Sequence, residues 1–271
     1  MTDAVQVKGL RKSYGKKEVL KGIDLCVRKG DIFALLGVNG AGKTTTLECI
    51  EGLRSYDGGS ISVDGRIGIQ LQSASLPTHI KGEEAIRLFA KWNKVSEDTS
   101  MLAALGIESL ANKQYQEMST GQKRRLHLAL ALIGDPDIVF LDEPTAGLDV
   151  EGRISLHEYI RTLKSKGKTI LLASHDMAEV ENLCDSIAIL KDGLIAFTGT
   201  VAELTEKVGT HYNVRVKTSQ GAEDFEVDNI GSGLIAILQD YQKKNTVIQD
   251  IQVDRGSLEQ HFVKIAREGD R

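Results

Sequence analysis

The chain has 271 residues, 41% hydrophobic and 27% charged, which excludes a disordered polymer and leaves room for one large domain or a domain of about 200 residues with an appendage. Its 34 basic and 38 acidic side chains give a net charge of -4, a balance that argues against tracking nucleic-acid phosphates and so against nucleic acid as a partner. Three cysteines without a C-x-x-C spacing suggest neither a disulfide framework nor a zinc ribbon.

From the N-terminus, MTDAVQVKGL lacks the basic-then-apolar order of a signal peptide, and no run of about 18 to 20 apolar residues follows anywhere. A cytosolic protein is expected, with any membrane role supplied by a partner. Val5, Val7, Val19, Ile23, Leu25 and Val27 alternate with polar residues, the period of half-exposed antiparallel strands. Ile32 to Leu36 is a continuous apolar run ended by Gly37, which predicts a strand buried on both faces, a glycine loop, and a helix ending near Gly52. Helical period follows from about 79 to 134, with Ala85, Leu88, Phe89 and Trp92 on one face and Leu126, Ala129, Leu130 and Ile133 on another. Further buried strands are predicted at Ile138 to Leu141, Thr169 to Ala173 and Ser186 to Leu190, with helices between them. Beyond about 206 come an alternating strand at His211 to Lys217, an apolar helix around Leu234 to Leu238, a strand near Val247 to Val253 and a closing helix from Gly256. The expected class is α/β: a mostly parallel sheet with antiparallel N-terminal strands and a helical insertion over 1–205, and a small α/β appendage over 206–271.

Three motifs carry chemistry. Gly37-Val38-Asn39-Gly40-Ala41-Gly42-Lys43-Thr44 fits G-x-x-x-x-G-K-[ST] and lies between a buried strand and a helix, where backbone N–H groups converge on phosphate oxygens. In such a P-loop Lys43 reaches the β and γ phosphates and the Thr44 hydroxyl ligates magnesium, so ATP and Mg2+ are the expected cofactors. Ile138 to Glu143 is an apolar strand ending in two carboxylates, with Asp142 suited to the magnesium ion and Glu143 to polarising an attacking water, a contribution of about 10² to 10⁴ in rate. Met118-Ser119-Thr120-Gly121-Gln122 precedes a basic turn and an apolar helix; Ser119 with Gln122 reads as a capping box, and the same helix start is an anion site.

In this order the motifs resemble those of the ATP-binding cassette family over about residues 1 to 205: MSTGQ is similar to the signature LSGGQ, DIVFLDEP to the strand with the acidic pair, and Ala146 to Asp149 to the family's D-loop. The resemblance implies that Tyr14 stacks on adenine, that 37–45 including Thr45 cradle the phosphates, and that His175 in Leu-Leu-Ala-Ser-His-Asp contacts the γ phosphate. It further implies that Gln72 senses magnesium, with Gln70 near enough to confuse the assignment, and that Ser119, Gly121, Gln122 and Asp149 serve the nucleotide of an opposing subunit. A head-to-tail pair enclosing two ATP molecules follows, formed by two copies or with a similar ATPase. Two departures, Val38 for a frequent proline and Thr120 for a signature glycine, remove no donor. Gly199-Thr200, Ala202-Glu203-Leu204 and Gly256 to Val263 resemble the tail of bacterial exporter ATPases that work with a separate membrane protein of about six spans. Transport ATPase, peripheral on the inner face of the membrane, is therefore the expected function; a non-transport cassette ATPase, such as an iron-sulfur assembly subunit, is the alternative.

Overall fold

The computed structural model describes residues 2–70, 75–174, 176–208 and 212–255. The chain forms two compact units, Met1–Thr198 and Gly199–Arg271.

The first unit opens with β1 (Asp3–Tyr14), β2 (Lys17–Arg28) and β3 (Ile32–Leu36), then α1 (Lys43–Ile50), β4 (Gly58–Val63) and β5 (Ile67–Gln70). Helices α2 (Gly82–Asn93), α3 (Thr99–Ala104) and α4 (Thr120–Leu132) fill the insertion, with 3-10 turns at Ile107–Leu110 and Tyr115–Glu117. Then follow β6 (Ile138–Asp142), α5 (Val150–Ser165), β7 (Thr169–Ala173), α6 (Met177–Leu183), β8 (Ser186–Lys191) and β9 (Leu194–Gly199). Strands β2, β1 and β4 make an antiparallel sheet in that order, and a six-stranded sheet runs β5-β6-β7-β3-β8-β9. The pairs β5–β6, β6–β7, β3–β7 and β3–β8 are parallel, so the α/β class read from the alternation of buried strands and helices is the one found.

All five residues of β3, of β6 and of β7 are buried, because both faces of the parallel sheet are covered. On one face Phe33, Leu35, Phe140 and Leu171 join Val5, Leu10, Leu20 and Ile23 of the antiparallel sheet, with Leu47 and Ile50 of α1 in the same core. Each such side chain contributes about 1.5–3 kcal/mol by leaving water, so a polar residue is tolerated only at a strand end, as with Asp142. The register aligns those ends: Leu35 pairs with Ala173, and Ala173 with Asp142. Loops leaving β3, β6 and β7 therefore emerge side by side, and this row positions the site.

The helical insertion departs from expectation in one respect. Ala85 is buried together with Ile86 and Ala90, but Leu88 is 53% and Trp92 76% exposed. Ala85, Ile86 and Ala90 form the inner line of α2, while Leu88 and Trp92 are left outside. In α4 the run from Leu126 to Leu132 is buried on every side, so no single face distinguishes it.

The second unit contains α7 (Val201–Val208), β10 (Tyr212–Thr218), β11 (Gly221–Val227), α8 (Ile230–Lys243) and β12 (Ile248–Arg255). Its antiparallel sheet is ordered β11-β10-β12, and Val214, Val216, Ile237 and Tyr241 form its core. Strand β11 has no sequence signal, since Glu223, Asp224 and Glu226 expose an edge strand whose partner is the alternating β10. The closing helix expected from Gly256 lies outside the described residues.

Candidate functional site

The loop from β3 to α1 is built by backbone conformation. Gly42 caps α1 at φ 109, a left-handed value that a side chain rarely adopts, and a Cβ there would stand 2.8 Å from Leu20 Cδ2. Residue 42 thereby turns the first N–H groups of α1 into the loop, the arrangement that binds anions. Lys43 is 8% exposed; its ammonium donates to Gly37 O at 2.6 Å and to Val38 O at 3.4 Å, spanning the loop. Burial lowers its pKa, while Glu143 and Asp142 oppose that effect, so both carboxylates act on this ammonium. Thr44 projects to solvent and Thr45 is half-buried.

Asp142 ends β6 almost wholly buried, and burial, then the charge of Glu143, raises its pKa against the pull of Lys43. Glu143 has φ 47, a strained value for a residue with a side chain, held by its N–H donating to Ala173 O at 2.9 Å and its carbonyl accepting from Ala146 N at 3.1 Å. Lys43, Asp142 and Glu143 thus gather at the carboxyl edge of the parallel sheet, where ligands of open α/β sheets bind. Tyr14, at the end of β1, is 42% exposed, with Arg54 Cζ 5.4 Å and Lys12 Nζ 5.6 Å from its ring centroid. Glu48 of α1 holds Arg54 at 2.5 Å. The ring is thereby tethered to α1 through Arg54 and Glu48.

The start of α4 bears the expected capping box: Ser119 N–H donates to Gln122 Oε1 at 3.0 Å, and Gln122 N–H to Ser119 Oγ at 3.3 Å. Lys113 also donates to Gln122 Oε1, at 2.9 Å, which adds a cation that the motif spacing does not reveal. Asp149 caps α5 by accepting from Gly152 N–H at 2.8 Å. Ser119, Gly121, Gln122 and Asp149 line one cavity of about 730 Å³, with Arg124 and Gln70 also in its wall. Gly147, at φ 75, lets the loop before α5 approach Thr120, whose Cγ2 would lie 3.0 Å from a Cβ. The loop residues Gly37, Asn39, Gly40, Ala41 and Gly42, with Lys43, Thr44 and Thr45, do not line that cavity. Gln72 and His175 lie outside the described residues.

Glu51 was not foreseen. It follows the last turn of α1, is 8% exposed, and burial with the charges of Asp142 and Glu48 pushes its carboxyl up to about 7. The signal was an acid directly after Cys49 and Ile50, the buried end of α1. Arg54, Glu48 and Lys113 carried no signal, because each acts across a fold contact.

A family profile described as "ABC transporter" matches residues 20–146. The linearmycin resistance ATP-binding protein LnrL of Bacillus subtilis (strain 168) is 33% identical over 241 residues, 82% of this chain and 78% of that one. The Nod factor export ATP-binding protein I of Ralstonia nicotianae is 36% identical over 227 residues, 77% of this chain and 71% of that one. A solved ATP-binding subunit of an ABC transporter superposes with a TM-score of 0.70 at 29% identity, covering 75% of this chain and 92% of that chain. A nucleotide-free ATP-binding cassette from an ABC transporter shares the fold, with a TM-score of 0.66 at 22% identity over 73% of this chain and 92% of that chain.

Proposed function

The chain belongs to the ABC transporter family as an ATP-binding, ATP-hydrolysing subunit, and from that premise we propose that it drives an exporter through closure of a dimer around two ATP molecules. The observation that carries the proposal is the separation of the two half-sites. Lys43, Asp142 and Glu143 act on one another at the sheet edge, whereas Ser119, Gly121 and Asp149 line a cavity of their own. In this reading a second copy presenting Ser119 and its helix start completes the enclosure of the nucleotide held at Lys43. Nucleotide then favours the closed pair by binding it better than the open one.

In this reading the P-loop N–H groups and Lys43 hold the β and γ phosphates, and Tyr14 with Arg54 holds the base. Thr44 and Asp142 supply a hydroxyl and a carboxylate, the hard oxygen donors a magnesium ion takes. When bound, that ion neutralises charge developing on the phosphate oxygens. Glu143, held in its strained turn, accepts the proton of the attacking water. His175, Gln72 and Asp149 keep the roles the family resemblance implies: contact to the γ phosphate, magnesium sensing, and orientation of the opposing site.

Export is supported by the two relatives named above, one called a resistance protein and the other an export protein. Nothing in them favours the iron-sulfur alternative. The membrane partner is a multi-span permease whose cytoplasmic segment docks between the sheet and the helical insertion, and Leu88 and Trp92 give α2 an apolar outer surface for it. No helix among the described residues is long and apolar enough to cross a membrane. In this reading the permease supplies the spans, and the chain is peripheral on the inner face. The 1–205 segment is the nucleotide-binding domain, with its helical part at about 79–134, and 206–271 is an accessory domain.

Size-exclusion chromatography with ATP and magnesium tests the shared site. Glu143→Gln is expected to bind ATP, lose turnover and elute as a dimer, and EDTA is expected to abolish wild-type hydrolysis. Lys43→Ala is expected to weaken ATP binding itself. A Glu143→Gln protein that stays monomeric at saturating ATP contradicts the proposal.

A further inference from the structure

A buried polar cluster brackets position 175. Ser174 ends the apolar run of β7, is 2% exposed, and donates its hydroxyl to Glu179 Oε2 at 2.6 Å. The same Oγ accepts the backbone N–H of Asp176 at 3.1 Å, so the two residues flanking position 175 are tied to each other. Glu179, in the first turn of α6, is itself 2% exposed, and its N–H donates to Asp176 Oδ1 at 3.1 Å.

Helix α5 braces the cluster twice. Arg153 Nη1 is 3.6 Å from Asp176 Oδ2, and His157 Nε2 is 3.4 Å from Glu179 Oε1, at an angle that makes no hydrogen bond. Burying a carboxylate costs several kcal/mol unless it is paired, and Glu179 keeps one oxygen without a hydrogen-bond partner. A leucine at 179 would remove that cost but leave the Ser174 hydroxyl unheld. The arrangement therefore has its use in fixing Ser174 and, through Ser174, the backbone of Asp176.

We infer that Ser174 and Glu179, braced by His157, are positioning residues for ATP hydrolysis, acting through the tie that holds Ser174 to Asp176. The inference rests on the reading of His175 proposed above. Neither residue touches nucleotide in this scheme, so their loss slows the chemical step and leaves binding alone.

Steady-state ATP hydrolysis by the full chain tests it, with nucleotide affinity measured by a fluorescent ATP analogue. Ser174→Ala and Glu179→Ala are each expected to lower kcat about tenfold or more, with KM for ATP and analogue affinity within twofold of wild type. Unchanged affinity also reports that the variants are folded. Ser174→Thr keeps the hydroxyl and Glu179→Gln keeps an accepting oxygen, and both are expected to recover most of kcat. His175→Ala separates this inference from the reading beneath it. If His175→Ala is inactive while Ser174→Ala turns over at the wild-type rate, the positioning role is wrong and the reading of His175 stands. If His175→Ala hydrolyses ATP at full rate, both are wrong. A rise in KM that accounts for the whole loss in Ser174→Ala, or a Ser174→Thr protein as slow as Ser174→Ala, overturns the positioning role as well.

Discussion

Glu51 shows how one buried carboxyl couples the site to pH. Its folded pKa of about 7 stands above the ordinary value of 4.5, so the folded protein binds a proton that the unfolded chain releases between those two values. The sign follows: the favourable contribution is complete below 4.5 and is lost as pH rises through about 7. Glu51→Gln has no charge to bury and is expected to be more stable than wild type at about pH 8, by on the order of 1 to 3 kcal/mol. The gain should vanish below the ordinary carboxylate range. Urea melts of the EDTA-treated protein at two pH values check this, and a Glu51→Gln protein less stable than wild type at about pH 8 would mean that the carboxylate has a compensating cation. Lys43, Asp142 and Glu143 were legible because their spacing is local: a glycine loop before a lysine, or an apolar strand before two acids. Glu51 acts on Asp142 from another element, and that proximity exists only after β6 has paired beside β7.

At the scale of an element, α4 carries two functions at one residue. Ser119 caps the helix and, in the proposed dimer, presents its hydroxyl to a phosphate. Substitutions separate the two. Ser119→Asp preserves a good N-cap, so its stability should stay near wild type, but it sets a negative charge against the phosphate and should abolish turnover. Ser119→Ala should cost about 1 kcal/mol of stability as well. Thermal melts beside ATPase assays distinguish the outcomes; a Ser119→Asp protein with normal turnover would remove Ser119 from the nucleotide. The capping box was readable as S-x-x-Q, since a cap depends on neighbours three residues away. The burial of α2 was not: period alone places Ala85 and Trp92 on one face, and only the approach of neighbouring elements makes Ala85, Ile86 and Ala90 the inner line.

At the scale of the molecule, the proposed function joins two half-sites, one from each copy, to an apolar outer surface on α2. Trp92→Glu places a charge on that surface without altering a buried contact, because Trp92 is 76% exposed. In cells producing the protein with its cognate permease, this variant is expected to leave the membrane fraction while still binding ATP. Membrane association equal to wild type would move the docking surface elsewhere.

The amino-acid sequence by itself determined the α/β class, the order of buried strands, the P-loop, the acidic pair and the helix cap, because each depends on residues a few positions apart and on apolar period. Only the tertiary structure decided that Leu35, Ala173 and Asp142 end in one row, that Ser119 and Asp149 line one cavity, and that the Ser174 hydroxyl is held by Glu179. Those relations join segments brought together by strand pairing and helix packing, and the burial that turns a charge into an interaction does not exist until the sheet has closed over it.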